Sequence, residues 1–270
     1  MASRSPTLLV LVLGLTLTTC VPGGASTAAP SSSPSPSPTP AVTVATSVGA
    51  TASPTAVPAP TYPADVMDVP DFSPLEAETY FVEPVATDIR VFYTIPADGW
   101  MSWFGAFKLG LPTDPANSVV GLGIMNVTNV VQDGCTRHVA AVPPVGPTVD
   151  DMATALAALS PFVLTMPPTD VTIDGFSGKH LAWTVPDLAV QVTGDDTAFV
   201  DCTNGELWSY IGKPLGFAFY GYIHPDQVEE FWLLDVDGQR LMIVAGTTPG
   251  SSDGDIAELR SIFDSIDIVP

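Results

Sequence analysis

The sequence predicts an α+β domain, an α/β/α sandwich around a largely antiparallel sheet, and three observations predict it. Val228–Asp235 and Gln239–Gly246 are apolar runs separated by Asp237-Gly238, the dipeptide of a two-residue type I′ hairpin. With that turn, Val236 faces Gln239, Asp235 faces Arg240 as an opposite-charge pair, and Trp232 faces Ile243. Phe231 and Leu233 with Met242 and Val244 then form one apolar face, and Trp232 and Leu234 with Leu241 and Ile243 the other. A hairpin apolar on both faces belongs in the middle of a covered sheet. Two amphipathic helix patterns provide the covering layers.

Those helices have readable starts. Thr148-Val149-Asp150-Asp151 follows Pro147 as a capping box, and Val149, Met152, Leu156 and Leu159 recur at helical spacing until Ser160-Pro161. The second starts within Ser252–Glu258, where Asp255 with Glu258 resembles a capping box, and Ile256, Leu259, Ile262 or Phe263, and Ile266 form its stripe. A short strand, Ser265–Val269, ends the chain.

Upstream, Thr79–Val82 and Ile89–Ile95 have strand character. Val119–Val131 is long for one strand and reads as two, or as one bent at Gly121 or Gly123. Thr165–Pro186 reads as strand, turn, strand around Gly175-Phe176-Ser177-Gly178, with Val171 and Ile173 sharing a face with Leu181, Trp183 and Val185. Glu206–Ile211 and Phe217–Ile223 are aromatic-rich strands, and Asp187–Phe199 is less regular. No internal repeat is visible, so residues 65–270 are expected to form a single domain.

The N-terminus differs in kind. Thr7–Thr18 is an apolar stretch of about a dozen residues, suited to a signal-peptide h-region and too short to span a bilayer. It leads into Leu17-Thr18-Thr19-Cys20, which resembles the lipobox of bacterial lipoproteins, with residues 1–19 as signal peptide and Cys20 as the lipidated residue. Thr19 departs from that pattern, where Gly, Ala or Ser is usual; the alternative is ordinary secretion with cleavage near Ser26-Thr27-Ala28. Residues 20–64, rich in Pro, Ser, Thr and Ala, cannot bury a core and read as a disordered linker. Extended at about 3 Å per residue, it would reach on the order of 100 Å. The expected location is the outer face of a bacterial cell membrane, lipid-anchored, or secreted.

In such a setting Cys135 and Cys202 are a plausible disulfide, the alternative being two separate buried thiols. The bridge would close a loop of about 67 residues, worth on the order of 4 kcal/mol in the chain-entropy view. The chain carries 8 basic and 29 acidic side chains, a net charge of −21, with Lys108, Lys179 and Lys213 the only lysines. Neutralising phosphates needs clustered cations, so nucleic acid and anionic lipid surfaces are poor partners.

Catalytic and metal motifs are sparse. Gly175-Phe176-Ser177-Gly178 is one residue short of a nucleophile elbow, and there is no phosphate-binding loop, dinucleotide fingerprint or H-E-x-x-H zinc motif. Asp235-Val236-Asp237-Gly238 lacks the third acid and closing Glu of a calcium loop. No metal or cofactor is expected. If Gly175–Lys179 forms the loop, Asp174 lies opposite His180 and could orient its imidazole, the basis of an alternative reading as a secreted hydrolase; the bland reading is a surface ion pair. Trp100, Trp103, Phe104 and Phe107 have i, i+3, i+4, i+7 spacing, though strand alternation would also suit them. They, with Tyr220 and Tyr222, are candidates to line an apolar or sugar-binding groove, or else are core.

Ile95-Pro96 with Gly99-Trp100, together with the terminal hairpin, helix and strand, resembles the PsbP-like superfamily, which includes the LpqN-type lipoproteins of high-GC bacteria. Val145–Asp151, Asp170–Gly175 and Leu234–Gly238 look like segments of secreted proteins from similar bacteria. The resemblance implies a non-catalytic binding or assembly role, with an envelope protein or a small apolar ligand as partner, and supplies no catalytic residues.

Overall fold

The computed structural model describes residues 63–110, 118–193, 196–213 and 222–270. All of these fall in the second of the chain's two units, Pro58–Pro270. The h-region, Cys20, the linker, Tyr220 and most of the expected strand at 217–223 lie outside the described residues.

The short strand β1 (Ala64–Asp65) leads to β2 (Thr79–Val82) and β3 (Arg90–Thr94). Next come β4 (Trp100–Ser102), β5 (Gly105–Leu109), β6 (Val119–Asp133) and β7 (Arg137–Ala140). Helix α1 (Val149–Ala157) precedes β8 (Val163–Ile173), β9 (Phe176–Thr184), β10 (Val190–Thr193), β11 (Asp196–Phe199) and β12 (Tyr210–Lys213). The chain closes with β13 (Val228–Val236), β14 (Gln239–Thr247), α2 (Asp253–Asp264) and β15 (Asp267–Val269).

The main sheet runs β4-β5-β6-β14-β13-β9-β8, with β12 and β7 pairing the far half of β6, and every one of these pairings is antiparallel. The β13–β14 hairpin sits in its middle with the expected register: Val236 opposite Gln239, Asp235 opposite Arg240, Trp232 opposite Ile243. Asp237 and Gly238 both have positive φ, 50° and 81°, as a type I′ turn requires. The expected ion pair across it does not form. Asp235 instead accepts the Gly238 N–H at 2.7 Å, tightening the turn, while the Arg240 guanidinium donates to the carbonyls of Val127, Gly146 and Thr148. Arg240 thus ties β14 to β6 and to the segment entering α1.

Alternation along the hairpin divides the interior into two cores. Trp232, Leu234, Leu241 and Ile243 pack with Leu259 and Ile262 of α2 and with Val82, Val91 and Tyr93. Phe231, Leu233, Met242 and Val244 pack with Met152 and Leu156 of α1 and with Trp183, Phe199 and Tyr210. The first core is also roofed by a four-stranded sheet, β1-β2-β3-β15. The domain is therefore β-rich, with two α-helices among the described residues, and the mixed α+β class fits it only loosely. The helix layers expected of a sandwich are thin, because strands share the α2 side.

Local signals behaved unevenly. The Thr148 capping box forms with Asp151 as read. The α2 cap lies one turn earlier than expected: Ser252 is the N-cap, and its hydroxyl accepts the Asp255 N–H at 3.0 Å. β6 is one fifteen-residue strand that changes partners along its length rather than two strands. The unremarkable stretch after Asp187 forms a β10–β11 hairpin. Cys135 and Cys202 are joined as a disulfide, with Cα atoms 4.5 Å apart.

The β8–β9 turn corrects a second expectation. Ile173 pairs with Phe176, so Asp174 and Gly175, both at positive φ, form the turn. Val171 and Ile173 consequently pack in the α2-side core, while Leu181, Trp183 and Val185 pack in the α1-side core. A register shift of one residue moves every side chain to the opposite face, and the shorter turn does so here.

Candidate functional site

The α1-side face of the sheet does not stay filled along its whole length. Beyond Met125 and Val244 the same face carries Gly123 and Gly121 on β6 and Gly246 on β14. Gly121 is paired with both Phe107 and Gly246, and Gly123 with Val244, so the glycines adjoin across the strands. Without side chains there, the core gives way to a groove of about 290 Å³. This approaches the lower end of the size range of small-molecule sites.

Four aromatic rings wall the groove. Trp103 and Phe104 form the β4–β5 connection, Phe107 lies on β5, and Phe72 in the segment before β2. Phe72 and Trp103 are stacked at 6.4 Å, and Phe107 meets them edge-on at 5.6 and 6.4 Å. Two of these residues sit in the left-handed region, Phe72 at φ 62° and Phe104 at φ 48°. Such backbone is costly for bulky residues and persists only where the surroundings hold it. Hydrogen bonds hold it here: Phe72 N–H donates to Ser102 O, Ser102 Oγ to Pro70 O, and Ile124 N–H to Phe104 O. Phe72 nevertheless keeps 64% of its surface exposed, an apolar ring at a groove mouth.

The inner end of the groove is polar. Glu229 on β13 is opposite Gly246 and lines the groove with Gln227, yet is only 3% exposed. Gln227 Nε2 donates to Glu229 Oε1 at 3.1 Å, and Tyr222 Oη lies 3.3 Å from Oε2. Tyr222 Oη is also 2.9 Å from Ser209 Oγ, so its single proton serves one neighbour at a time. Burial pushes the Glu229 carboxyl up to about 8, against smaller opposing effects of the Gln227 and Tyr222 hydrogen bonds. Burial likewise raises both Tyr222 and Tyr210 well above the ordinary phenol range.

The residues singled out from sequence are divided by this geometry. Trp103, Phe104 and Phe107 come together on the groove. Trp100 does not: it is fully buried on the opposite face, where its Nε1–H donates to Glu258 of α2 at 3.0 Å. Its strand partner Lys108 bridges Asp255 at 2.7 Å and Glu258 at 2.8 Å, fastening the sheet to α2. The helical spacing of the four aromatics was misleading because the chain reverses between them, leaving Trp100 and Trp103 at opposite parity. Tyr222 is buried and supports Glu229 rather than facing the groove. Phe72, Gln227 and Glu229 were not foreseen, since only long-range pairing brings them to this face.

The Asp174–His180 pairing does not exist. Asp174 is a turn residue whose Oδ2 accepts the Ile268 N–H at 2.6 Å. His180 lies opposite Thr169, stacks on Trp232 at 4.6 Å and contacts Glu230 Oε2 at 3.1 Å. Among the described residues no group of three or more His, Cys, Asp or Glu is placed to hold a metal ion. Among them, too, no helix is long and apolar enough to cross a membrane.

No protein-family model and no curated protein matches this sequence. Among solved structures the chain is similar to LpqN of Mycobacterium tuberculosis, described as involved in cell envelope biogenesis. The match has 12% identity, covers 78% of this chain and 100% of that one, and has a TM-score of 0.30. A likeness that low carries no argument about fold or function.

Glu229 gives the site a pH signature. Its carboxyl titrates near 4.5 when unfolded and near 8 when folded. Between those values the folded state keeps a proton that the unfolded state has lost, so stability falls as pH rises through the window and levels off above it. Thermal midpoints from about pH 5 to about pH 9 should fall in the wild type relative to Glu229→Gln. Parallel curves for the two proteins would contradict a protonated Glu229.

Proposed function

We propose that this is a non-catalytic binding module whose aromatic-walled groove holds a small apolar molecule outside the cytoplasmic membrane. The observation that carries this reading is the glycine floor at Gly121, Gly123 and Gly246 beneath the rings of Phe72, Trp103, Phe104 and Phe107. Rigid concave apolar surface with a few convergent polar groups is the usual form of a small-molecule site. Two rings held at strained backbone positions by specific hydrogen bonds point the same way. The resemblance of Ile95-Pro96 and Gly99-Trp100 to PsbP-like accessory proteins supports binding over catalysis.

Anchoring belongs to the same proposal. The h-region ending at Leu17-Thr18-Thr19-Cys20 supports lipidation at Cys20, and the Cys135–Cys202 bridge suits an oxidising compartment. A fatty-acid analogue fed to producing cells should label the wild type and not Cys20→Ser; label retained in the variant would defeat the anchor.

The two tryptophans test the groove. N-phenyl-1-naphthylamine, an apolar probe that fluoresces out of water, should bind the wild type. Trp103→Ala should weaken it by about tenfold or more with little loss of stability. Trp100→Ala should instead cost about 3–5 kcal/mol of stability, as for other buried tryptophans. Probe binding unchanged by Trp103→Ala would refute the groove as the site.

A further inference from the structure

The lining of the groove is apolar along most of its length and acidic at its inner end. Glu229 lies over Gly246, where a Cβ would come within 3.4 Å of Oε1, so a larger side chain would cover the carboxyl and glycine leaves it facing the groove. No Lys, Arg or His is among the described lining residues. Lys108 is engaged with Asp255 and Glu258 on the other side of the sheet.

The hydrogen bonds of the carboxyl indicate what it still lacks. Gln227 is held in one orientation, because its own Oε1 accepts the Ile223 N–H at 3.0 Å, and its Nε2 is thereby turned to Glu229 Oε1. A carboxyl oxygen has two lone pairs, and Oε1 uses one of them here. The other is available on the side left open by Gly246. Among the described residues, the inner end of the groove therefore offers an acceptor and no cation.

We propose that the groove takes a single-chain amphiphile whose polar head donates a hydrogen bond and carries no negative charge, with Glu229 as the group that reads the head. This rests on the groove being the binding site. A hydroxyl or an amide N–H at Oε1 completes the bonding of a buried acceptor. A carboxylate head would be withdrawn from water with no cation beside it among the described residues, and once Glu229 ionises the two negative charges repel. The titratable groups that face Glu229 among the described residues are Tyr222 and Tyr210, both neutral in this environment, so neither supplies the missing positive charge.

Decan-1-ol and decanoate have the same chain and differ in the head, so competition between each of them and N-phenyl-1-naphthylamine on the full-length protein is decisive. Decan-1-ol should displace the probe at about pH 7 and about pH 9 alike, and at about pH 9 decanoate should bind at least tenfold more weakly. The gap should widen at the higher pH, where Glu229 ionises. At about pH 9 Glu229→Gln keeps the shape and removes the charge, so it should close most of the gap between the two heads. The wild-type comparison needs no variant. Decanoate binding as tightly as decan-1-ol at about pH 9 would overturn the role given to Glu229 while leaving the groove as a binding site. A bound probe displaced by neither compound would overturn the single-chain occupant, and failure of the probe itself to bind would overturn the groove reading.

Discussion

Side-chain parity along the β13–β14 hairpin constrains every other segment of this domain. Because the hairpin is apolar on both faces and the Asp237-Gly238 turn holds one register, each face needs its own cover. On one side α2 and the β1-β2-β3-β15 sheet provide it, and on the other α1 with the segments around the Cys135–Cys202 bridge. Polar ties then fix those covers. Arg240 fastens the entry to α1 through backbone carbonyls, and Lys108 with Trp100 fastens α2 through Asp255 and Glu258. The charged groups here work as clasps on a scaffold that burial of apolar surface drives together.

The groove follows from the same alternation, interrupted. Positions 121, 123 and 246 share the face of Met125 and Val244 and would extend the α1-side core if they bore apolar side chains. As glycines they leave a hollow that the rings of Phe107, Trp103, Phe104 and Phe72 wall without filling. Glycine inside a strand weakens it, so three on one face of two adjacent strands cost stability that a purely structural sheet need not forgo. Glu229 adds to that cost, being a buried acid with no cation beside it among the described residues. Backbone strain at Phe72 and Phe104 is a third departure at the same place. Local departures from foldability that cluster at one site are the usual mark of function.

What could be read from the chain alone follows the range of the interactions involved. The hairpin, its turn, both helices and the two cores were legible because each depends on a local pattern: Asp-Gly between apolar runs, Thr148 with Asp151, the Leu259 and Ile262 stripe. The disulfide was legible because the chain has few cysteines. Parity across β8–β9 was misjudged because Asp174-Gly175 and the longer Gly175–Lys179 are both plausible turns locally, and they place the β9 side chains on opposite faces. Half of the candidate site was visible as an aromatic cluster, but the reversal at Trp103-Phe104-Gly105 sent Trp100 to the opposite core. Glu229 was hidden in an ordinary strand beginning, Val228-Glu229-Glu230. Its burial depends on Gly246, seventeen residues away, and on Tyr222, and no local pattern reports either.

Glycines at 121, 123 and 246 open the groove by leaving one face without side chains, so putting a side chain back is the decisive experiment. Gly246→Val is suited to this, since a Cβ there meets nothing closer than Glu229 Oε1 at 3.4 Å and a strand interior favours a branched residue. Titration of the variant with N-phenyl-1-naphthylamine, alongside its thermal midpoint, should show probe binding lost with the midpoint held or raised. A variant that is as stable as the wild type and binds the probe equally well would contradict the account.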